Sequence, residues 1–235
     1  MVLKIKVLYE DPNILVIDKP EGLAVHSDGR TKEKTVADWI LKHYPRMKNV
    51  GEQTEGIARP GIVHRLDRDT SGVLVLVKNQ KTFLFLKNQF MNREVKKIYH
   101  AIVSGSMKEE HGFIKKPIGR SPKDFRKYLA GRGAKGELKD AETFYKVLKK
   151  LEFSNIKYSY LEVRPKTGRT HQIRVHMKYL NHPVVGDPLY NPDGPHPRGF
   201  KRMALHAFSI EFKDLKGKIL KIESKLPKEF QSMLK

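Results

Sequence analysis

Gly61-Ile-Val-His-Arg-Leu-Asp-Arg-Asp-Thr-Ser-Gly-Val-Leu-Val-Leu-Val77 is the stretch on which the reading of the chain turns. An apolar approach and a Val/Leu run flank a polar knot in which His64, Arg65, Asp67, Arg68, Asp69, Thr70 and Ser71 crowd together. Strand formers on both sides fix the position of the knot. Asp69-Thr-Ser-Gly72 has the chemistry of a tight turn, which would hold the polar side chains outside the sheet. A polar cluster anchored to a rigid element is how a reactive constellation is built.

With 235 residues the chain can bury a sizeable core, as one domain or two closely joined halves. The longest wholly apolar run, Val73 to Val77, is short, and the N-terminus lacks a signal-type hydrophobic segment. Neither export nor membrane spanning is indicated, and a soluble cytoplasmic protein is expected. The absence of cysteine excludes disulfides, thiolate zinc sites and cysteine nucleophiles. Lys and Arg outnumber Asp and Glu by 47 to 26, a formal charge of +21. So large an excess argues for a polyanionic partner, because neutralising phosphates releases counterions and drives association. A lysine-rich surface serving only solubility is the plainer alternative; nucleic acid is the favoured one.

Around the knot, Leu3 to Leu8 and Ile14 to Ile17 read as strands, the second running into the loop Asp18-Lys-Pro-Glu-Gly22. Thr35 and Asp38 form a capping-box start for a helix ending before Pro45, with Trp39 on its apolar face. Residues 46 to 59 lack periodicity and are expected to form a mobile basic surface loop. Lys81 to Arg93 reads as an amphipathic helix with Phe83, Leu86 and Phe90 on one face, and Lys96 to Val103 as a strand. Lys115 to Lys139 is the most basic stretch: nine Lys and Arg residues interspersed with Gly and Pro. It is expected to pack no core but to close over a phosphate backbone. Gly131-Arg-Gly-Ala-Lys-Gly136 is not a phosphate loop, since Glu137 stands where that motif needs lysine. Strands over 141 to 148 and 158 to 163 precede Pro165-Lys-Thr-Gly-Arg-Thr170, which caps a helix with Ile173, Met177 and Leu180 as its buried stripe. His171 and His176 are separated by about 140° around a helix, which argues against a shared metal. A strand to Phe212, a turn at 213 to 217, a closing strand and a C-terminal helix with Phe230 and Leu234 complete the chain.

His64-Arg-Leu-Asp67 followed by Thr70-Ser-Gly72 resembles the central motif of pseudouridine synthases of the RluA type. Ile17-Asp-Lys-Pro-Glu-Gly-Leu-Ala-Val-His26 resembles that family's N-terminal motif. Thr167-Gly-Arg-Thr-His-Gln-Ile-Arg-Val-His-Met177 with His182-Pro-Val-Val-Gly-Asp-Pro-Leu-Tyr190 resembles its third, and Arg202-Met-Ala-Leu-His-Ala207 its last. The motifs stand in family order over about residues 10 to 212. The resemblance implies an α+β fold: an extended, mostly antiparallel mixed sheet flanked by helices, with an active-site cleft across the middle and basic loops as its walls. A single catalytic domain over 1–235, in two sub-halves, is expected; many relatives carry a separate small RNA-binding domain before theirs, and this chain is expected to have no room for one. Recognition would then fall to the catalytic domain's own loops.

The implied reaction breaks the C1′–N1 bond of a uridine, turns the uracil and joins C5 to C1′, without cofactor, metal or energy donor. Partners would be structured RNA, ribosomal or transfer, and the protein a monomer. A base inside a helix must be extruded first, and Arg65 is the candidate to prop the gap. Asp67 matches the catalytic residue and must be ionised; burial opposes this, so a cation is needed, and Arg174 matches the residue that supplies it. Tyr99 matches the active-site tyrosine, able to stack on uracil and take part in removing the C5 proton. Ile173 and Leu205 would line a dry pocket that His171 supports from behind. Lys115, Lys116, Arg120, Lys123, Arg126 and Lys127 are the candidate RNA contacts, while His64, Arg68 and Asp69 serve local hydrogen bonding. Each residue also has a plain reading: Asp67 as a turn residue, Arg174 as a structural ion-pair partner, Tyr99 as packing. Other functions compete too. A glycoside hydrolase could use Asp67 and Asp69 from an extended strand, a metal-dependent nuclease the same carboxylates with His64, and an idle RNA-binding or RNA-folding module neither.

Overall fold

In the computed structural model the described residues are 5–27, 29, 33–52, 59–131, 133–197 and 200–235. In chain order the elements are β1 (Lys6–Glu10), β2 (Ile14–Lys19), α1 (Val36–His43), a 3-10 turn (Pro45–Met47), β3 (Ser71–Val77), α2 (Gln80–Met91) and β4 (Lys96–Ser104). There follow β5 (His111–Lys115), β6 (Ile118–Arg120), β7 (Tyr128–Ala130), β8 (Lys135–Lys139), β9 (Glu142–Phe153) and β10 (Ile156–Pro165). The last are α3 (Gln172–Tyr179), β11 (Leu205–Lys213), β12 (Ile219–Glu223) and α4 (Lys228–Leu234). The fold is α+β, its sheet mostly antiparallel. The chain forms two compact units, Met1–Lys96 with Ala207–Lys225, and Lys97–His206 with Leu226–Lys235.

The first unit orders its strands β1-β2-β3-β11, with β12 paired to β11. Near-continuous apolar runs make β2 and β3 its centre, since Ile14 to Ile17 and Val73 to Val77 are buried whichever way they point. Their antiparallel register pairs Ile14 with Val77 and Lys19 with Gly72. The loop leaving β2 therefore lies beside the turn entering β3. The α1 capping box forms as the sequence predicts: Asp38 N–H donates to Thr35 Oγ1 at 3.3 Å, and Thr35 N–H to Asp38 Oδ2 at 2.8 Å. Trp39 is buried and stacks on His43, with ring centroids 4.8 Å apart. The expected surface loop after α1 is corrected: Met47 and Val50 are core residues, because the 3-10 turn folds the chain back onto the unit. Residues 53–58 of that loop lie outside the described residues. Buried Gln89 of α2 acts as a side-chain splice, donating to the Lys213 carbonyl at 2.8 Å and accepting its N–H at 2.9 Å.

The second unit orders its strands β4-β10-β9-β5. β9 and β10 run longer than the sequence suggests and join at Ser154-Asn155, whose φ values of 49° and 60° make a two-residue hairpin turn. Ala101 to Val103, Leu161, Val163 and Met177 form its core, on which Phe230 and Met233 of α4 dock. Two expectations are corrected here. Residues Gln172 to Met177 of α3 are buried all round rather than along one stripe, because the helix packs against both β9/β10 and the basic segment. Nor does the segment 165–170 supply a side-chain cap: the N-cap position is His171, at φ 55°, and Gln172 Oε1 turns back to accept the Arg169 N–H at 3.0 Å. The basic stretch also packs a small core. β7, β6 and β8 form a three-stranded sheet whose Ile118 is buried with Ala141, Val175 and Tyr190.

Gly72 marks where the knot meets the sheet. Its φ is +112°, and a Cβ there would lie 2.2 Å from the Ala207 carbonyl oxygen, so both strain and collision oppose any side chain. Gly72→Ala is expected to lower stability by at least about 2 kcal/mol in urea unfolding. Gly22→Ala, at φ +71° with open space around it, should cost less. Equal losses would contradict the packing assignment.

Candidate active site

In the first unit the polar knot is a turn bolted to the sheet on alternate residues. Thr70 N–H donates to the Asp67 carbonyl at 3.2 Å, so the turn is Asp67 to Thr70, and Ser71 and Gly72 already belong to β3. This places it two residues earlier than the Gly-based reading. Asp67 and Asp69 do not share the extended strand a hydrolase pair would need. Leu66 and Thr70 are buried, Asp67 is half-buried, and Arg65 is exposed. His64 Nε2 accepts the Val75 N–H at 3.0 Å and its ring stacks on Phe90 at 4.8 Å. That nitrogen is engaged by backbone, as local bonding requires and metal ligation would not allow.

Lys19 is the residue that sequence reading passed over. Fully buried, its ammonium donates to the carbonyls of Pro20, Leu23 and Arg68 at 2.7–2.8 Å. One cation thus ties the Lys-Pro-Glu-Gly loop to the Asp67 turn. Arg68 adds a bond from Nε to the Gly22 carbonyl (3.1 Å) and an exposed pair with Glu33 (3.2 Å). At the end of the same loop, His26 Nε2 lies 3.5 Å from Arg65 Nη1 while its Nδ1 faces the Ser27 carbonyl at 2.8 Å. Burial first, then the positive charges of Arg65 and Arg59, hold the His26 imidazole below its ordinary pKa. A neutral ring leaves Nε2 able to accept from the guanidinium.

The second unit is built around Arg174, which is 3% exposed. Asp187, fully buried, grips it as a fork: Nε to Oδ2 at 2.7 Å and Nη2 to Oδ1 at 2.8 Å. Asp187 Oδ1 also accepts the N–H groups of Leu189 and Tyr190 at 2.9 and 3.0 Å. The Tyr190 ring lies under the guanidinium, 5.1 Å from its centre. Its hydroxyl accepts the Tyr128 N–H at 2.9 Å and meets His171 Nδ1 at 3.0 Å. His171, Arg174, Asp187 and Tyr190 thus form one network, of which sequence reading named only the first two. The spacing of Asp187-Pro-Leu-Tyr190 inside a quoted motif was the available signal.

Tyr99 stands on β4 opposite Val163, partly buried against the core. Two residues before it on the same face, Lys97 donates to the Thr167 carbonyl at 3.2 Å, and burial pushes its ammonium down to about 8. On the other face His100 pairs with the Tyr160 hydroxyl; burial pushes the imidazole down to about 4 and the phenol up to about 12. Ile173 and Leu205 are buried in the core of this unit. His176 faces away from His171, fixed between Thr143 Oγ1 (2.9 Å) and the Lys116 carbonyl (3.0 Å).

The basic residues differ in how far they are committed. Lys115 is exposed, 4.0 Å from Glu142, and Lys116 lies over the Tyr179 ring at 5.7 Å. Arg120 covers Tyr128 at 5.5 Å. Lys123 is exposed and Lys127 half-buried on the β6–β7 hairpin. Arg126 is already forked onto Asp124 through Nε (3.0 Å) and Nη2 (2.9 Å), which holds that carboxyl down at about 2. Arg132 lies outside the described residues.

Taking two charges out of water is unfavourable unless geometry and extra hydrogen bonds compensate, and breaking such a pair strands a buried charge. Asp187→Asn is therefore expected to destabilise the protein by about 3–5 kcal/mol, read as a lower urea midpoint. A midpoint within error of wild type would show that Arg174 does not depend on Asp187.

A family model described as RNA pseudouridylate synthase matches residues 13–179. A ribosomal large subunit pseudouridine synthase D from Borreliella burgdorferi is 40% identical over 232 residues, covering 97% of this chain and 67% of the relative. One of the same name from Nitrosomonas europaea is 37% identical, covering 99% of this chain and 65% of that one. Among solved structures, the human RNA pseudouridylate synthase domain containing 1 superposes with a TM-score of 0.77 at 26% identity, over 95% of this chain and 84% of that one. By these matches the chain belongs to the RNA pseudouridylate synthase family and is an isomerase that converts uridine in RNA to pseudouridine.

Proposed function

We propose that this enzyme modifies ribosomal RNA, with transfer RNA as the second substrate class to test, and that Asp67, Tyr99 and Arg174 act on the flipped uridine. The names of the two bacterial relatives support the ribosomal reading. For Asp67 the supporting observation is the way its turn is built. Leu66 and Thr70 are buried and His64 is bonded to the sheet, so the segment is fixed while Arg65 and Asp67 face outward to different degrees. A carboxylate held on a rigid turn suits a reaction in which small displacements matter.

The chemistry is an isomerisation in which nothing is gained or lost. Asp67 either attacks C1′ or removes the 2′ proton; the C1′–N1 bond breaks; the uracil turns; C5 bonds to C1′ and then gives up its proton. Arg174 matches the family's cation and serves the reaction in that role. Tyr99 stacks on the uracil and takes part in removal of the C5 proton, and Ile173 and Leu205 keep water from C1′. Arg65 props the gap left by the extruded base. Lys115, Lys116, Arg120, Lys123, Arg126 and Lys127 meet the RNA backbone. The enzyme works in the cytoplasm as a monomer with one catalytic domain, needing neither metal nor cofactor.

Tritium release from [5-³H]uridine-labelled ribosomal and transfer RNA pools, measured in chelator, tests this reading. Wild type should release tritium from ribosomal RNA, and Asp67→Asn none, with RNA affinity little changed. Release by the variant at the wild-type rate would remove Asp67 from its role, and release from transfer RNA alone would overturn the ribosomal assignment.

A further inference from the structure

Breaking the C1′–N1 bond of a uridine leaves the electron pair on the base, whichever way Asp67 acts. The uracil departs as an anion whose charge spreads from N1 onto its carbonyl oxygens. A donor aimed at such an oxygen lowers the barrier, because it meets charge that is only developing in the ground state. Asp67 and Tyr99 do not provide for that charge, and Arg174 is forked onto Asp187.

Lys97 is a cation placed to do so. It stands two residues before Tyr99 on β4, and residues two apart on a strand project from one face. Its ammonium donates to the Thr167 carbonyl at 3.2 Å, two residues past the end of β10. That acceptor belongs to a fixed loop. Thr167 Oγ1 donates to Gln172 Oε1 at 2.7 Å and accepts the Glu142 N–H at 3.1 Å, while Gln172 Nε2 donates to the Glu142 carbonyl at 2.9 Å. The Glu142 carboxylate turns to Lys166 at 3.2 Å. Among the described residues Lys97 has this single acceptor and no ion pair, whereas an ammonium carries three donors. Lys96, on the other face, is the contrast: exposed and paired with Glu211 at 2.7 Å. A cation taken out of water with so few partners is unfavourable, and burial accordingly brings the Lys97 ammonium down to about 8, still mostly charged at neutral pH. One strand face thus carries an aromatic ring and an incompletely paired cation side by side.

We propose that Lys97 is a catalytic residue of the isomerisation: its ammonium donates to a carbonyl oxygen of the flipped uracil and stabilises the base as it leaves C1′. This rests on the reading in which Tyr99 stacks on that uracil, and it names the group that receives the leaving base. A backbone phosphate is the other acceptor RNA could bring to an ammonium. Its charge is the same before and after the bond breaks, so a phosphate contact would strengthen binding without raising the rate of the chemical step.

Single-turnover isomerisation at saturating RNA, with RNA affinity and the urea midpoint measured alongside, separates these possibilities. Lys97→Met removes the charge while keeping a long unbranched side chain, a change that interiors tolerate. It should slow the chemical step by about a hundredfold and leave affinity unchanged. With 5-fluorouridine at the target, electron withdrawal by fluorine itself stabilises the departing anion. Loss of 5-fluorouridine from the RNA should therefore be slowed severalfold less by the same substitution. Lys97→Arg, which keeps the charge, should retain more activity than Lys97→Met; should the Met variant not fold, Lys97→Gln carries the same comparison. A wild-type rate without the charge overturns the proposal. So does weaker binding with an unchanged rate, which marks a phosphate contact, or an equal defect on both substrates, which marks a structural role. If Tyr99→Leu leaves the chemical step at the wild-type rate, the placement of the uracil on this strand fails first, and the role of Lys97 with it.

Discussion

The buried fork between Arg174 and Asp187 is the constraint on which the second unit depends. Desolvating two charges is tolerable only when each is saturated with partners, and here that requirement fixes several elements together. Asp187 must also take the N–H groups of Leu189 and Tyr190, which sets the path of the chain after Gly186. Tyr190 must then lie beneath the guanidinium, and its hydroxyl reaches the backbone of β7. The small basic sheet is thereby hung from the same residue that holds the cation. Both the arginine and the basic hairpin take their positions from one carboxylate.

The first unit uses the same physics with backbone carbonyls as acceptors. Lys19 is as buried as Arg174, and its ammonium donates to three carbonyl oxygens. An ammonium has three donors, and carbonyls of two loops accept them, so the loop at 20–23 and the turn at 67–70 are drawn together. The register Lys19 to Gly72 brings the two loops to the same end of the sheet, and Lys19 locks them there. In each unit a cation out of contact with water fixes the backbone from which outward-facing polar residues project.

Much of this was legible in the residues. Val73 to Val77 reads as a buried strand, the Thr35/Asp38 box as a helix start, and the order of the motifs points to the family. What escaped had a common cause. Lys19, Asp187 and Tyr190 act through burial and through partners far away in sequence, and a charged residue in a loop motif looks solvated until its neighbours are known. The basic stretch misled for the converse reason: its Gly and Pro content suggested an open loop, whereas Ile118 and Tyr128 find their core only by packing on Val175 and Tyr190 from later in the chain. Local composition reports propensity, and tertiary contacts overruled it there.

Whether the forked arginine serves chemistry or only architecture is decided by the single-turnover isomerisation rate of Arg174→Lys at saturating RNA, with folding and affinity checked alongside. Lysine keeps the charge but cannot offer Asp187 two parallel N–H bonds while also serving the reaction. A catalytic Arg174 predicts that the chemical step slows by about a hundredfold or more while RNA affinity holds. A rate equal to wild type in a folded, RNA-binding variant would contradict it and leave the ion pair a structural one.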